Sequence, residues 1–106
     1  PVTVVAAGER WPDGSLRPAL EDLLGAGAVI AALRAESSQV SLSPEADAAR
    51  ILYAATPSPT DTVRSCASAL ELVRAGFEAD VDVATEIDAG TAVPVLMGGA
   101  FRAAPV

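Results

Sequence analysis

The order of apolar and polar positions predicts one strand, several helices and a terminal hairpin. Residues 2–7 are apolar apart from Thr3, which predicts a strand buried on both faces, as in parallel sheets. Residues 11–14 (Trp-Pro-Asp-Gly) then predict a turn. A first helix is predicted from a cap at Ser15, with Pro18 in its first turn, to about Ala35, and a second from Ser43–Pro44 to about Ala54. A third helix is predicted from Asp61 to Arg74, with its end at Gly76, and a short fourth over 78–86. The last element is a predicted hairpin of 93–96 and 100–103 around Gly98–Gly99.

Two glycines lie inside the first predicted helix. Gly25 and Gly27 each cost ~1 kcal/mol relative to Ala in a helix interior. Glycine at such positions is typical of close packing against another backbone. We therefore expect this helix to approach a sheet or another backbone closely at both glycines.

The number of strands is small for the number of helices. A strand, four helices and a hairpin indicate an α/β protein, but this is too little sheet to be self-sufficient. The chain starts at Pro1, inside a strand-like run and without Met, and shows no internal domain boundary. We therefore expect residues 1–106 to be a single domain portion of a longer protein. We also expect its free strand edge and apolar surface to pair with the rest of that protein or with a second copy.

Charged side chains crowd the loop between the first predicted strand and helix. Arg10 and Arg17 carry planar cations suited to phosphate, sulfonate or carboxylate, while Glu9, Asp13, Glu21 and Asp22 offer hard oxygen ligands. Arginines beside carboxylates suit a magnesium-assisted attack on a phosphate ester. The structural alternative is that Glu9–Arg10 and Arg17–Glu21 are surface ion pairs. Glu21 and Asp22 then only complement the helix dipole.

Composition excludes several classes of function. The net charge is −7, with seven arginines, no lysine and no histidine, so nucleic-acid binding and binding to an anionic membrane surface are disfavoured. Without histidine, any metal would be held by oxygen ligands, which points to Mg²⁺. The start of the chain shows no signal-peptide pattern, and the apolar stretch 26–33 is too short to span a bilayer. We expect a cytoplasmic protein.

Cys66 is the only cysteine, so the chain can form no internal disulfide or thiolate metal cluster. A structural, buried thiol is the favoured interpretation, because no histidine is present to activate a nucleophile. Ser68 and Glu71 have the spacing of a helix capping box, which would explain both residues without function.

Residues 7–28 resemble a segment of the 2-phosphosulfolactate phosphatase family (ComB-like proteins), with Ala-Gly, a loop, and then Glu-Asp-x-x-x-Ala-Gly-Ala. Later motifs of that family follow in the same order: Cys66-Ala67-Ser68 with Glu71-Leu72, Gly76-Phe77 with Asp80-Val81, and 93–96 with 99–101. The similarity covers nearly the whole chain.

The resemblance implies a magnesium-dependent hydrolase that removes phosphate from 2-phospho-3-sulfolactate in coenzyme M synthesis. It also implies a three-layer α/β/α fold, of which this chain is the C-terminal half. The implied site residues are Glu9, Glu21 and Asp22 as catalytic groups, Glu9 and Asp22 as metal ligands, and Gly8, Arg10, Arg17 and Ser68 as contacts to a small anionic phosphate ester.

Two departures from the family pattern leave a second function open. The family's N-terminal motifs are absent, and Ala69 and Leu70 stand where members usually have Gly and Arg or Gln. A methyl group hinders close approach of backbone to phosphate, and Leu donates no hydrogen bond. The alternative is a non-catalytic α/β module that binds a small anion or a protein partner. The isolated 106 residues are expected to be inactive under either hypothesis.

Overall fold

The computed structural model describes residues 1–104, which form five helices and two small antiparallel sheets. The elements in chain order are β1 (Glu9–Arg10), β2 (Leu16–Arg17), α1 (Leu20–Glu36), α2 (Pro44–Ala55), α3 (Pro59–Ser65), α4 (Ala67–Arg74), α5 (Glu78–Ala84), β3 (Pro94–Met97) and β4 (Ala100–Ala103). The strand pairs are β1–β2 and β3–β4. The described residues are therefore of mixed α/β class.

The long helix α1 packs chiefly against α2. Gly27 is buried at this contact, and a Cβ there would stand only 2.3 Å from the carbonyl oxygen of Ala49 and 2.8 Å from the Cβ of Tyr53. The close approach expected at Gly27 is thus confirmed. The same expectation is wrong for Gly25, where an added Cβ would meet nothing within 4 Å because that side of α1 faces open space.

The start of α2 follows its local sequence signals. Ser43 is the N-cap, its hydroxyl oxygen accepts a hydrogen bond from the Ala46 N–H at 3.3 Å, and Pro44 occupies the first helical position. Such a cap is worth about 1 kcal/mol. The prediction for this helix is confirmed, and the helix extends to Ala55.

The strand predicted over residues 2–7 is wrong. These residues adopt no regular secondary structure, and Val2 and Val5 are 77% and 83% exposed. A strand needs a neighbour to satisfy its backbone N–H and C=O groups, and no strand of residues 1–104 pairs with this segment. Apolarity alone therefore did not produce a strand.

The cap predicted at Ser15 is also wrong. Ser15 donates its N–H and its hydroxyl to Oδ1 of Asp13 at 2.9 and 2.6 Å, so it belongs to the turn that joins β1 to β2. The predicted turn at residues 11–14 is confirmed by the hydrogen bond from the Gly14 N–H to the Trp11 carbonyl at 2.8 Å. Helix α1 begins after Ala19, which provides no side-chain cap.

The single helix predicted from Asp61 to Arg74 is two helices, α3 and α4, separated at Cys66. Ser58 rather than Asp61 caps α3, accepting from the Asp61 N–H at 3.3 Å. The Ser65 hydroxyl donates to two carbonyls of the preceding turn, and such bonds compete with helix continuation. The predicted helix end at Gly76 is confirmed, since Gly76 has φ +88°. The Phe77 N–H, just after it, donates a hydrogen bond to the Leu72 carbonyl at 2.9 Å, which closes the end of α4.

Helix α5 and the terminal hairpin agree with the sequence patterns. Strand β3 pairs with β4 in antiparallel register, with Met97 opposite Ala100. Gly98 and Gly99 have φ of +59° and +80°, which is the double positive φ of a type I′ turn. Two glycines satisfy this turn without strain.

The buried core is thin. Among residues 1–104 its hydrophobic members are five side chains: Leu24, Ile30, Ala49, Ala69 and Val81. The Cα radius of gyration is 15.4 Å, against about 13 Å for a compact domain of this size. None of the helices in residues 1–104 has the length and apolarity needed to cross a membrane.

Candidate active site

A pocket of about 390 Å³ opens between α1, α3, α4 and α5. Three acidic side chains line it: Glu9 from β1, and Glu21 and Asp22 from the first turn of α1. Apolar side chains of the helices form most of its remaining wall. All three carboxylates that the sequence analysis assigned to catalysis therefore lie around one cavity.

Asp22 joins the start of the loop to α1. Its Oδ2 accepts a hydrogen bond from the Gly8 backbone N–H at 2.8 Å. Gly8 has φ +67°, a conformation that residues with a Cβ rarely adopt. The Gly8 N–H, predicted to contact substrate, thus contacts a carboxylate of the chain itself.

Glu21 is held by α4. The Ser68 hydroxyl donates to Oε1 of Glu21, and the Cys66 thiol lies 3.6 Å from Oε2. Burial raises the pKa of Glu21, but hydrogen bonds from Ser68, its own backbone and Cys66 lower it, and the net pKa lies below the ordinary 4.5. Glu21 is therefore ionised at neutral pH.

These contacts correct two structural interpretations from the sequence. Ser68 does not cap α4, whose N-cap is Cys66, and Ser68 and Glu71 form no capping box. Cys66 is only partly buried and lines the pocket. Both side chains contact Glu21 in the first turn of α1 instead.

Arg17 is surrounded by partners within the chain. It donates two hydrogen bonds to Glu71, at 2.8 and 3.0 Å, and lies 3.2 Å from Glu9 Oε2. Its guanidinium is 4.8 Å from the centre of the Trp11 ring, and its side chain is 14% exposed. The hydrogen bond to Glu71 raises the pKa of Arg17. The geometry makes Arg17 a link between the loop and α4.

Arg10 is also engaged locally, since its Nη1 donates to the Gly14 carbonyl at 2.8 Å. The ion pairs expected as the structural alternative, Glu9–Arg10 and Arg17–Glu21, are not formed among residues 1–104. Arg17 pairs with Glu9 and Glu71 instead. Neither Arg10 nor Arg17 lines the pocket.

Comparison with known proteins agrees with this arrangement of motifs. The family model of 2-phosphosulpholactate phosphatase matches residues 1–99. The chain belongs to this family. No curated protein and no solved structure matches the chain.

Residues 1–104 of this 2-phosphosulpholactate phosphatase family member offer few candidate metal ligands. Residues 1–104 contain no group of three or more Asp, Glu, Cys or His side chains placed to hold a metal. Mg²⁺, however, is commonly held by one or two carboxylates together with water and substrate phosphate. Glu9 and Asp22 each have one oxygen that accepts no hydrogen bond within residues 1–104. They could supply this minimal set.

The sequence did not indicate that Glu71 binds Arg17 beside the pocket. Glu71 lies 54 positions from Arg17, and its spacing from Ser68 suggested a local cap instead. No local sequence pattern could have indicated that Arg17 and Glu71 are in contact. Nor did a local pattern indicate Tyr53 and Thr85, which line the pocket from α2 and from the end of α5.

The Arg17–Glu71 contact predicts a loss of stability in acid. The hydrogen bond from Arg17 holds the pKa of Glu71 below 4.5, its ordinary value. A carboxyl with a lower pKa in the folded state stabilises the fold above its unfolded pKa, and this contribution disappears as pH falls through the folded pKa. We expect the melting temperature to be nearly constant from about pH 7 to 5 and to fall below 4.5. Thermal unfolding followed by circular dichroism measures this.

Glu71→Gln is the matched variant for the acid transition. It retains the size of the side chain but does not titrate, so its melting temperature should fall less steeply below 4.5 than that of the unmodified chain. Identical slopes for the two proteins would mean that the Arg17 contact makes no titratable contribution to stability.

Proposed function

We propose that the chain contributes the carboxylate side of a phosphatase site that hydrolyses a phosphate monoester such as 2-phospho-3-sulfolactate. Membership of the 2-phosphosulpholactate phosphatase family supports the reaction class. We assign the site to this pocket because Glu9, Glu21 and Asp22 all line it.

The three carboxylates have different proposed roles. Glu9 and Asp22 hold Mg²⁺ through the oxygens left free by Arg17 and Gly8. A Mg²⁺ ion held by these two residues would supply charge neutralisation for the phosphate oxygens. Glu21, ionised and oriented by Ser68, accepts a proton from the attacking water.

The proposed contacts to the anionic substrate require some rearrangement of the loop. Gly8, Arg10, Arg17 and Ser68 each have a hydrogen-bond partner within the chain. Arg10 is more exposed than Arg17. To bind a phosphate, Arg10 would give up only its hydrogen bond to the Gly14 carbonyl. Arg17 would have to leave two carboxylates, so we assign direct phosphate contact to Arg10 first.

We further propose that residues 1–106 are the C-terminal half of a longer cytoplasmic protein that acts in coenzyme M synthesis. In that protein a three-layer α/β/α arrangement would give residues 2–7 strand partners. The exposure of Val2 and Val5 supports this, because pairing would cover apolar side chains that now face solvent. The proposed partner is the remainder of the protein or a second copy, with no nucleic acid and no membrane.

Phosphate release by the full-length protein tests the proposed function. With Mg²⁺ present, 2-phospho-3-sulfolactate should yield inorganic phosphate, and removal of the metal with a chelator should abolish the release. Restoring Mg²⁺ should restore it. Absence of phosphate release by the folded protein in the presence of metal contradicts the assignment.

The alternative of a non-catalytic binding module remains as a second proposal, in its form with a protein partner. Arg17, the more buried cation of the loop, is neutralised by Glu9 and Glu71, which leaves it no free charge for a phosphate ester. If the chain only binds, Glu21→Ala in the full-length protein should leave its function intact. If the proposed reaction is right, that substitution should lower kcat by about 10²-fold or more, as for loss of a general base.

A further inference from the structure

Glu9 and Arg17 lie opposite each other in the small β1–β2 sheet. They are partner positions in the antiparallel register of the two strands. Side chains at such positions are close enough to interact, and opposite charges attract. The local hairpin therefore places a permanent cation beside a carboxylate that lines the pocket.

The stronger contacts of Arg17 are made with α4. Its Nη1 and Nη2 donate hydrogen bonds to Oε2 and Oε1 of Glu71, at 2.8 and 3.0 Å. The contact with Glu9 is a single and longer one, 3.2 Å from Nη1 to Oε2. Two parallel charge-assisted hydrogen bonds fix both the position and the orientation of a guanidinium. Glu71 therefore determines where the Arg17 cation lies relative to Glu9.

The guanidinium of Arg17 is covered by residues of this chain itself. Its side chain is 14% exposed, and the guanidinium carbon lies 4.8 Å from the centre of the Trp11 ring. Partly buried charges are screened by salt much less than exposed ones. The charge of Arg17 therefore acts strongly on Glu9.

Glu71 balances the charge of Arg17 from outside the pocket. One guanidinium lies between two carboxylates, so the three side chains together carry one negative charge. Of the three, only Glu9 lines the pocket, where its charge is left for a cation. Without Glu71, Arg17 would neutralise Glu9 instead and would repel a metal ion bound there.

We propose that Glu71 is a positioning residue for Glu9: it holds the Arg17 guanidinium by two hydrogen bonds, so that Glu9 keeps a free oxygen and its negative charge for Mg²⁺. The inference rests on the proposed function, in which Glu9 and Asp22 hold the metal. In this role Arg17 stays between Glu71 and Glu9, and contact with the phosphate is left to Arg10.

Three variants of the full-length protein separate a charge effect on Glu9 from a loss of structure. Glu71→Gln keeps the size of the side chain and removes its charge. The double variant Arg17→Gln/Glu71→Gln also removes the cation that would neutralise Glu9. Glu78→Gln is the matched control, since Glu78 is an exposed residue in the first turn of α5 and does not line the pocket.

The experiment measures the affinity of the full-length protein for Mn²⁺, a paramagnetic substitute for Mg²⁺, by electron paramagnetic resonance without substrate. We expect Glu71→Gln to lower the affinity about tenfold, the loss typical of changing a residue behind a metal ligand. The double variant should recover to within about threefold of the unmodified protein, because the two changes are coupled through one ion pair. Glu78→Gln should change the affinity less than about twofold.

The dependence of activity on Mg²⁺ gives a second measurement. For Glu71→Gln, the Mg²⁺ concentration that gives half-maximal activity should rise about tenfold. At saturating Mg²⁺, kcat and the KM for 2-phospho-3-sulfolactate should each change less than about twofold, since Glu71 contacts neither the metal nor the substrate.

The outcomes separate this inference from the proposed function. Unchanged Mn²⁺ affinity in Glu71→Gln, a double variant as weak as Glu71→Gln, or no Mn²⁺ binding by the folded unmodified protein overturns the inference. If the variants follow the expected pattern but no phosphate is released, the phosphatase assignment fails and the role of Glu71 stands. If phosphate is released with Mg²⁺ but Glu71→Gln behaves like Glu78→Gln, the proposed function stands and the role of Glu71 fails.

Discussion

Gly27→Ala is expected to destabilise the protein by about 1–2 kcal/mol, because a contact this close puts the overpacking cost in the upper part of its usual range of about 1–3 kcal/mol. The new Cβ would stand 2.3 Å from the Ala49 carbonyl oxygen, which belongs to the backbone of α2 and cannot rotate away. The substitution also improves helix propensity by about 1 kcal/mol, so the measured effect is what remains of the steric cost. The backbone of α1 or α2 must shift to relieve this contact, and this helix pair supplies Leu24, Ile30 and Ala49 of the thin core.

Gly25→Ala is the control for Gly27→Ala. It lies on the same helix, changes the same atoms and meets nothing within 4 Å, so it should stabilise the protein by up to about 1 kcal/mol. Thermal unfolding should show opposite shifts, of about 4–8 °C per kcal/mol for a chain of this size. Equal stabilisation by both substitutions would show that α1 and α2 do not approach as closely as described.

Asp22→Asn is expected to lower kcat for phosphate release in the full-length protein by about 10²-fold or more, because weaker Mg²⁺ binding loses part of the several kcal/mol of charge stabilisation that a metal supplies. The substitution removes the charge from the carboxylate proposed to hold Mg²⁺. Because Asn retains an acceptor oxygen, the 2.8 Å hydrogen bond from the Gly8 N–H can persist. Stability should therefore change by less than about 1 kcal/mol.

Asp80→Asn is the matched control for Asp22→Asn. Asp80 is an exposed residue in the first turn of α5 and does not line the pocket. Asp80→Asn removes one negative charge at a helix start, as Asp22→Asn does, but should leave kcat unchanged. Equal activity of the Asp22 variant and the unmodified protein would remove Asp22 from the site, whereas equal losses in both variants would indicate a general charge effect.

Local signals in the sequence determined several elements correctly. Ser43 and Pro44 start α2, Gly76 ends α4, and Gly98–Gly99 turn the hairpin. Each signal acts within a few residues, through a cap, a positive φ or a fixed φ, and is little affected by distant parts of the chain. The family was also evident from the sequence, because its motifs occur in order along nearly the whole chain, and the match to residues 1–99 confirms it.

The set of carboxylates around the pocket was only partly predictable. The sequence indicated Glu21 and Asp22 together because both lie in one helical turn, and it placed Glu9 in the preceding loop. It did not indicate that Ser68 and Cys66 contact Glu21, 47 and 45 positions away. It also assigned Arg17 to substrate, although Arg17 lies between Glu9 and Glu71.

The sequence by itself determined the start of α2, the end of α4, the glycine turn of the terminal hairpin, and the family. Only the tertiary structure decided that residues 2–7 form no strand, that Gly27 but not Gly25 meets a neighbouring backbone, and that Ser68 binds Glu21. The physical reason is the range of the interactions. Caps and turns depend on neighbours in sequence, whereas strand pairing, close packing and ion pairs depend on which distant segment lies alongside.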